Sequence, residues 1–423
     1  MSERPTIVFF PEGAFGPTNN CVAIGQVLLT RGARVVFVVE ESFAGALEAQ
    51  GFEEALMRLK PQPEIEEAPG QFWKDFVHET APEFRKPTIE QLEGFILPVW
   101  RELVEGARYV DDRLREIFDT VRPDVIVEDN VVAFPAVPAS GVPWVRIVSC
   151  NPLELKDPML PPPFSGYPTT DRAGWDEFRA RYAELHGPLQ REFSDFCVER
   201  GAPPLPDGEF IHESRFLNLY LYPGEVDYQR RRPLGPSWHR LDSCVREPDG
   251  SFGWPEDPRA VVYLSLGSLG SADVGLMRNL LATLADTDYL VVVSMGPQHE
   301  QLELAGNMIG AEFLPQPALL PEVDAVITHG GNNTITESLH FGKPMVVLPL
   351  FWDQHDNAQR IDELGLGRRL EAYGHESIEL TGALQSLLAD AQVRRRLGRI
   401  SRRLQAEPGR LKAADLIERA AVR

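Results

Sequence analysis

Basic residues are in short supply in this chain. Its 423 residues include 42 Lys and Arg against 63 Asp and Glu, a formal charge of −21. That balance argues against nucleic acid and anionic membrane surfaces as partners, because both select basic patches. Any phosphate site must therefore be local, built from helix ends and a few side chains. Cysteine is scarcer still. Cys21, Cys150, Cys197 and Cys244 are scattered without metal-ligand spacing, and they read as reduced or buried thiols of a cytoplasmic protein. No apolar run reaches the roughly 20 residues that span a bilayer, and the first residues run into an apolar strand without a signal peptide. There is no close internal repeat, only two halves of similar plan.

What is present is a globular α/β pattern. Apolar residues make up 43% of the chain, and its length predicts two domains. Residues 6–10 form a short apolar strand, 11–16 a loop, 19–31 a helix with Val22, Ile24, Val27 and Leu28 on one face, and 34–39 a second strand. Strand, helix, strand implies a parallel sheet. Residues 56–120 are helical in character, with Phe95, Ile96, Val99, Leu103, Ala107, Val110 and Leu114 at helical spacing. Residues 125–127 and 142–148 read as buried strands, the first running into Glu128 and Asp129. Residues 152–170 are too rich in proline for regular structure, and form either a plain surface loop or a segment that lines a cleft. Residues 216–222 read as a strand, and 223–258 are rich in Pro, Gly, Arg and Asp. Strands at 260–266, 289–295, 325–328 and 345–348 and a helical C-terminal stretch complete the second half. The expected division is an N-terminal domain at 1–240, a linker near 240–258 and a C-terminal domain at 259–423.

The most informative stretch runs from Thr328 to Gln359. A short apolar strand ends in Thr328-His329-Gly330-Gly331, a helix start follows, and a second apolar run leads to Asp353-Gln354. A helix N-terminus presents unpaired N–H groups and a partial positive charge, which suits a phosphate, and glycines let the backbone approach it. His329, Gly331, Asn333, Thr334, Glu337, Asp353 and Gln354 together resemble the nucleotide-sugar signature of inverting GT-B glycosyltransferases. That superfamily holds the UDP-glycosyltransferases and the actinobacterial macrolide glycosyltransferases. The resemblance implies two Rossmann-like domains with parallel sheets facing a central cleft, the acceptor in the first and the nucleotide sugar in the second, the last helix crossing back to the first domain. It implies that His329, Asn333, Thr334 and nearby amides hold the diphosphate, that Glu337 takes the ribose hydroxyls, and that Asp353 and Gln354 take the sugar hydroxyls. Ser268, in a Gly/Ser turn after a strand, is assigned to the diphosphate in the same way, and Gln316, after Pro315, to the base. Asn332 departs from the Trp usual in plant enzymes. The co-substrate implied is a UDP- or TDP-sugar, with UDP favoured slightly by Glu337. The acceptor is a small molecule, and neither metal nor other cofactor is called for.

The family's base is a His in the first strand–helix loop. Here the aligned loop reads Gly16-Pro17-Thr18-Asn19-Asn20, and proline accepts no proton. Four alternatives stand: Asp129 acts on the acceptor, Glu12 supplies the carboxylate, His78 reaches in from the acceptor helices, or the acceptor needs little help. A carboxylate is favoured, with Phe15 and His78 as acceptor-site candidates, and His340 and His355 read as structural. A free carboxylate needs a neighbour or burial to raise its pKa toward neutrality. The rival reading is a non-catalytic auxiliary homologue that keeps the fold and loses transfer.

Overall fold

The computed structural model describes residues 4–13, 15–61, 79–248 and 250–422, with His78 outside them and the side chain of Phe15 not described. Seven strands form the first sheet: β1 (Thr6–Pro11), β2 (Arg34–Glu40), β3 (Glu53–Met57), β4 (Val125–Asp129), β5 (Trp144–Val148), β6 (Leu217–Tyr220) and β7 (Trp238–Arg240), in the order β3-β2-β1-β4-β5-β6-β7. Six form the second: β8 (Val261–Ser265), β9 (Leu290–Ser294), β10 (Met308–Ala311), β11 (Ala325–Thr328), β12 (Met345–Val347) and β13 (Gly367–Arg369), in the order β10-β9-β8-β11-β12-β13. Every pairing between these strands is parallel. This is the GT-B architecture of two Rossmann-like sheets.

The central strands are largely apolar because helices cover both faces of each sheet: Ile7, Val8, Phe9, Val125, Val127, Val326 and Ile327 are fully buried. The longer helices are α1 (Phe15–Thr30), α2 (Leu97–Val121), α3 (Trp175–Glu199), α4 (Val274–Ala285), α5 (Asn332–His340), α6 (Gln354–Glu363), α7 (Ser377–Ala389), α8 (Ala391–Ala406) and α9 (Gly409–Ala421). Val99, Leu103, Ala107, Val110 and Leu114 of α2 all turn into the core. Among the described residues no helix is long and apolar enough to cross a membrane. Strands β3, β7, β10 and β13 escape the sequence pattern. Each is short, lies at a sheet edge and carries polar residues or glycine in place of an apolar run, so pairing rather than composition makes it a strand.

The chain is broken at Pro408, and α9 then packs on α1 and on β4, β5 and β6 of the first sheet. Its Ala413, Ala414, Ile417 and Ala420 share a core with Phe9, Val127, Ile147 and Leu219. Arg31, just past the end of α1, bonds Asp415 and Glu418 of α9 at 2.8 and 2.7 Å.

In each sheet the strand order reverses once, between β1 and β4 and between β8 and β11. Crossovers leave in opposite directions there, opening a crevice at the strand C-termini where ligands bind in folds of this kind. Pro11 pairs with Asp129 across the first reversal and Ser265 with Thr328 across the second. Those positions fix where function is to be sought.

Candidate functional site

The second-sheet crevice is built around His329. Burial pushes its pKa down to about 4, against a smaller raising effect from the Ser265 backbone, so the ring is neutral at physiological pH. Glycines enclose it because nothing larger fits. A Cβ on Gly267 (φ +70°) would lie 2.7 Å from His329 Cε1, and one on Gly331 would lie 2.5 Å from its Nε2. Gly330 (φ +92°) supplies the left-handed turn, where a Cβ would meet Val347 Cγ1 at 2.8 Å. The chain then enters α5, whose first-turn amides face the crevice end of β11. Ser268 sits half-buried in the one-turn helix Gly267–Gly270 beside this ring.

Gln316, Thr334 and Glu337 form one cluster. Gln316 Nε2 donates to Glu337 Oε2 at 2.6 Å and approaches Thr334 Oγ1 at 3.5 Å, while Tyr263 Oη donates to Gln316 Oε1 at 3.2 Å. Burial raises the Glu337 pKa, opposed by the Gln316 bond and by Arg246, whose Nη1 lies 3.8 Å from Glu337 Oε1. Sequence reasoning missed Arg246, which lies in the Pro- and Arg-rich stretch after β7 where no periodic pattern marks it.

The start of α5 also reaches the first sheet. Asn333 Oδ1 accepts from Asn20 Nδ2 and its Nδ2 donates to the Gly16 carbonyl, both at 2.8 Å. Asn332 Nδ2 donates to the carbonyls of Ser149 (2.7 Å) and Leu221 (3.0 Å). Asp353 does likewise: its Oδ2 accepts from the Asn151 amide at 2.8 Å. Asn151 Nδ2 donates to Asn357 Oδ1 at 2.8 Å, and Asn357 returns to the Gly330 carbonyl at 2.9 Å. Gln354 Oε1 is held by the amides of Leu350 (3.0 Å) and Phe351 (3.2 Å). In this conformation Asn333 and Asp353 are thus cross-cleft struts, and Gln354 braces its own loop.

The Pro-rich loop docks on α6. Asp356 accepts from the amides of Phe164 (2.6 Å) and Gly166 (2.8 Å), and Glu363 Oε1 accepts from the Thr169 amide at 2.9 Å. Phe164 packs on Trp352 with ring centroids 4.5 Å apart, and Trp100 lies 5.2 Å from Trp352.

The first-sheet crevice holds carboxylates. The Glu12 amide donates to the Asp129 carbonyl at 2.9 Å, so the ends of β1 and β4 stay side by side. Burial, then the neighbouring Asp129, Glu154 and Asp353 charges, push the Glu12 pKa up to about 7. Burial raises Asp129 to about 7 as well, against the pull of Ser149, whose Oγ donates to Asp129 Oδ1 at 2.7 Å. Asp129 Oδ2 is buried with no hydrogen-bond partner. Pro17 lies in the first turn of α1. Arg146 is committed to Glu154 at 2.8 Å. Ser149, Asn151 and Asn357 were not singled out from sequence. The strand-end rule could have found the first two, which follow β5, whereas Asn357 depends on tertiary contact. His340 bonds Ser243 Oγ through Nδ1, and His355 Nε2 lies 3.2 Å from the Leu350 carbonyl. No group of three or more His, Cys, Asp or Glu able to hold a metal is found among the described residues.

Residues 253–410 match the family described as UDP-glucoronosyl and UDP-glucosyl transferase. Along its length the chain is similar to the demethyllactenocin mycarosyltransferase of Streptomyces fradiae, with 25% identity over 97% of this chain and 86% of the relative. Among solved structures it is similar to the glycotransferase of kitacinnamycin, with a TM-score of 0.70, 23% identity and 99% of both chains covered. It is also similar to the glycosyltransferase VinC in complex with DTDP, with a TM-score of 0.66, 18% identity and 99% of both chains covered.

Proposed function

We propose that this chain is a member of the UDP-glycosyltransferase family, of the actinobacterial macrolide-glycosyltransferase type, and that it moves a sugar, a hexose, from a UDP- or TDP-sugar to a small-molecule acceptor with inversion and without a metal. One observation carries the reading. The two strand-order reversals present complementary chemistry: a carboxyl pair with pKa values near 7 on one sheet, and a glycine-enclosed neutral imidazole at a helix start on the other. Residues 1–240 serve the acceptor and 259–423 the nucleotide sugar, joined by the stretch near 240–258, with α9 tying the end of the chain to the acceptor half.

Glu12 takes the proton of the acceptor hydroxyl, in place of the histidine that Pro17 displaces. The oxygen attacks the anomeric carbon from the face opposite the diphosphate, the bond from that carbon to the diphosphate breaks, and its electron pair leaves with the nucleotide. His329 N–H, the first-turn amides of α5, Asn333, Thr334 and Ser268 receive the growing charge. Glu337 and Gln316 hold ribose and base. Asp353 and Gln354 take sugar hydroxyls once the cross-cleft bonds of Asp353 exchange for them. Asp129 behind Glu12 keeps the local proton affinity high, which places the base near the operating pH. A buried neutral imidazole donates to phosphate without an extra charge to desolvate.

The test is nucleotide diphosphate release from UDP-glucose, UDP-glucuronate and TDP-sugars against phenols, alcohols, amines and acids, beside His329→Ala. Acceptor-dependent release that the variant loses supports the transferase. Pro17 favours one rival, a non-catalytic homologue. Tight UDP or TDP binding with no release across the panel would decide for it.

A further inference from the structure

The acceptor crevice has more acceptors than donors. Glu12, Asp129, Glu154 and Asp353 lie close enough to raise one another's proton affinity. Of the nearby cations, Arg146 is spent on Glu154 at 2.8 Å and Lys156 on Glu209 at 3.1 Å. Among the buried oxygens without a hydrogen-bond partner are Asp129 Oδ2 and Asn332 Oδ1, on residues 2% and 7% exposed. They belong to different halves of the molecule, yet both residues are fastened to Ser149: its Oγ donates to Asp129 Oδ1, and its carbonyl accepts from Asn332 Nδ2, each at 2.7 Å. Turning the Asn332 amide over would set its oxygen against the carbonyls of Ser149 and Leu221, so the unpaired atom is the oxygen. A buried acceptor without a donor is costly, and more so when charged. The group that matches this place is therefore a donor, has several N–H bonds, and is positive. A hydroxyl offers one donor and leaves the charge uncompensated. A protonated amine offers up to three and no acceptor.

We infer that the acceptor carries a protonated amino group, which lodges against Asp129 Oδ2 and Asn332 Oδ1 at the back of the first-sheet crevice. This rests on the transferase reading above and specifies its substrate class. The two carboxylates then divide the work: Asp129 stays ionised beside the ammonium, and Glu12 is left to take the hydroxyl proton. Asn332 becomes a specificity residue supplied by the nucleotide-binding half, so the amine site is complete only when the two halves are in contact.

Tyramine and 4-ethylphenol test it, because they share ring, hydroxyl and chain length and differ in the ammonium. Each is offered to the intact protein with UDP-glucose or a TDP-sugar while diphosphate release is followed, and each is titrated calorimetrically into the UDP- or TDP-loaded protein. The expected result is a tyramine preference of about ten-fold or more in kcat/KM or in Kd, the scale of one charge-assisted hydrogen bond. The ratio is expected to fall toward one in Asp129→Asn and in Asn332→Leu, and the ratio, not the absolute rate, is the readout. Equal handling of the two compounds, no tyramine binding, or a preference untouched by both variants overturns the inference, the last pointing to a buried water as the missing donor. Turnover of 4-ethylphenol without amine preference leaves the transferase reading standing. Failure to bind either nucleotide sinks that reading instead.

Discussion

In the proposed reaction Glu12 is the residue on which the chemistry turns, since proline stands at position 17 where the family places its histidine. The Glu12 and Asp129 pKa values, both near 7, belong to an interacting pair whose protons come off in linked steps. A base must be deprotonated to act, so kcat/KM is expected to rise with pH through about 7. Glu12→Gln is expected to lower kcat by about 10²–10⁴-fold and to remove that rise. A full pH limb in the variant would move the base elsewhere. On the donor side, Gly331→Ala places a methyl 2.5 Å from His329 Nε2 and is expected to abolish nucleotide binding while leaving the fold intact. Calorimetry with UDP and TDP checks this, and unchanged affinity would separate His329 from the diphosphate.

At the scale of elements, α5 and α9 do work that no local pattern announces. Helix α5 begins at the second-sheet crevice and carries two asparagines that bridge to the first half of the molecule, so the two crevices are coupled through one helix turn. Helix α9 closes the first sheet's core from the far end of the chain, and it begins against backbone that leaves no room for a side chain. A Cβ on Gly409 would lie 1.9 Å from the Leu241 carbonyl oxygen and 2.5 Å from that of Ser243. Backbone cannot yield cheaply, so Gly409→Ala is expected to destabilise by about 1–3 kcal/mol or more. Equilibrium denaturation reads this, and a neutral result would mean that α9 docks loosely. The Pro-rich loop belongs here too. Apart from the single helical turn at Pro152–Glu154 it lacks regular structure, and it is held by carboxylates of α6 that accept its amides, which a reading of the loop's own residues could not foresee.

At the scale of the whole molecule, the many buried carboxyls set the pH response. Burial raises Glu12, Asp129 and Asp353 to about 7 and Glu128 and Asp356 to about 8. The folded state binds these protons more tightly than the unfolded chain, so stability rises as pH falls through 8 and 7. Buried His186, His329 and His340 near 4 and His355 near 3 act oppositely, but only once the unfolded chain protonates below about 6.5. The melting temperature is therefore expected to climb from pH 8.5 to about pH 6.5 and then level as the two sets offset. A melting temperature that stays flat across the upper range would mean that these carboxyls are solvated in solution.

The sequence by itself determined the fold class and the donor motif. Buried parallel strands must be apolar along their length, and a glycine turn between strand and helix is a local requirement, so both are written in consecutive residues such as 325–333. It also exposed the anomaly at Pro17. Tertiary structure alone decided the rest. Edge strands β10 and β13 exist by pairing, Asn332 and Asp353 act across the cleft on residues about 200 positions away, and Glu12 and Asp129 gain their proton affinity from burial beside each other. Desolvation and cross-cleft hydrogen bonds depend on which distant segments are brought together, and no spacing along the chain records that.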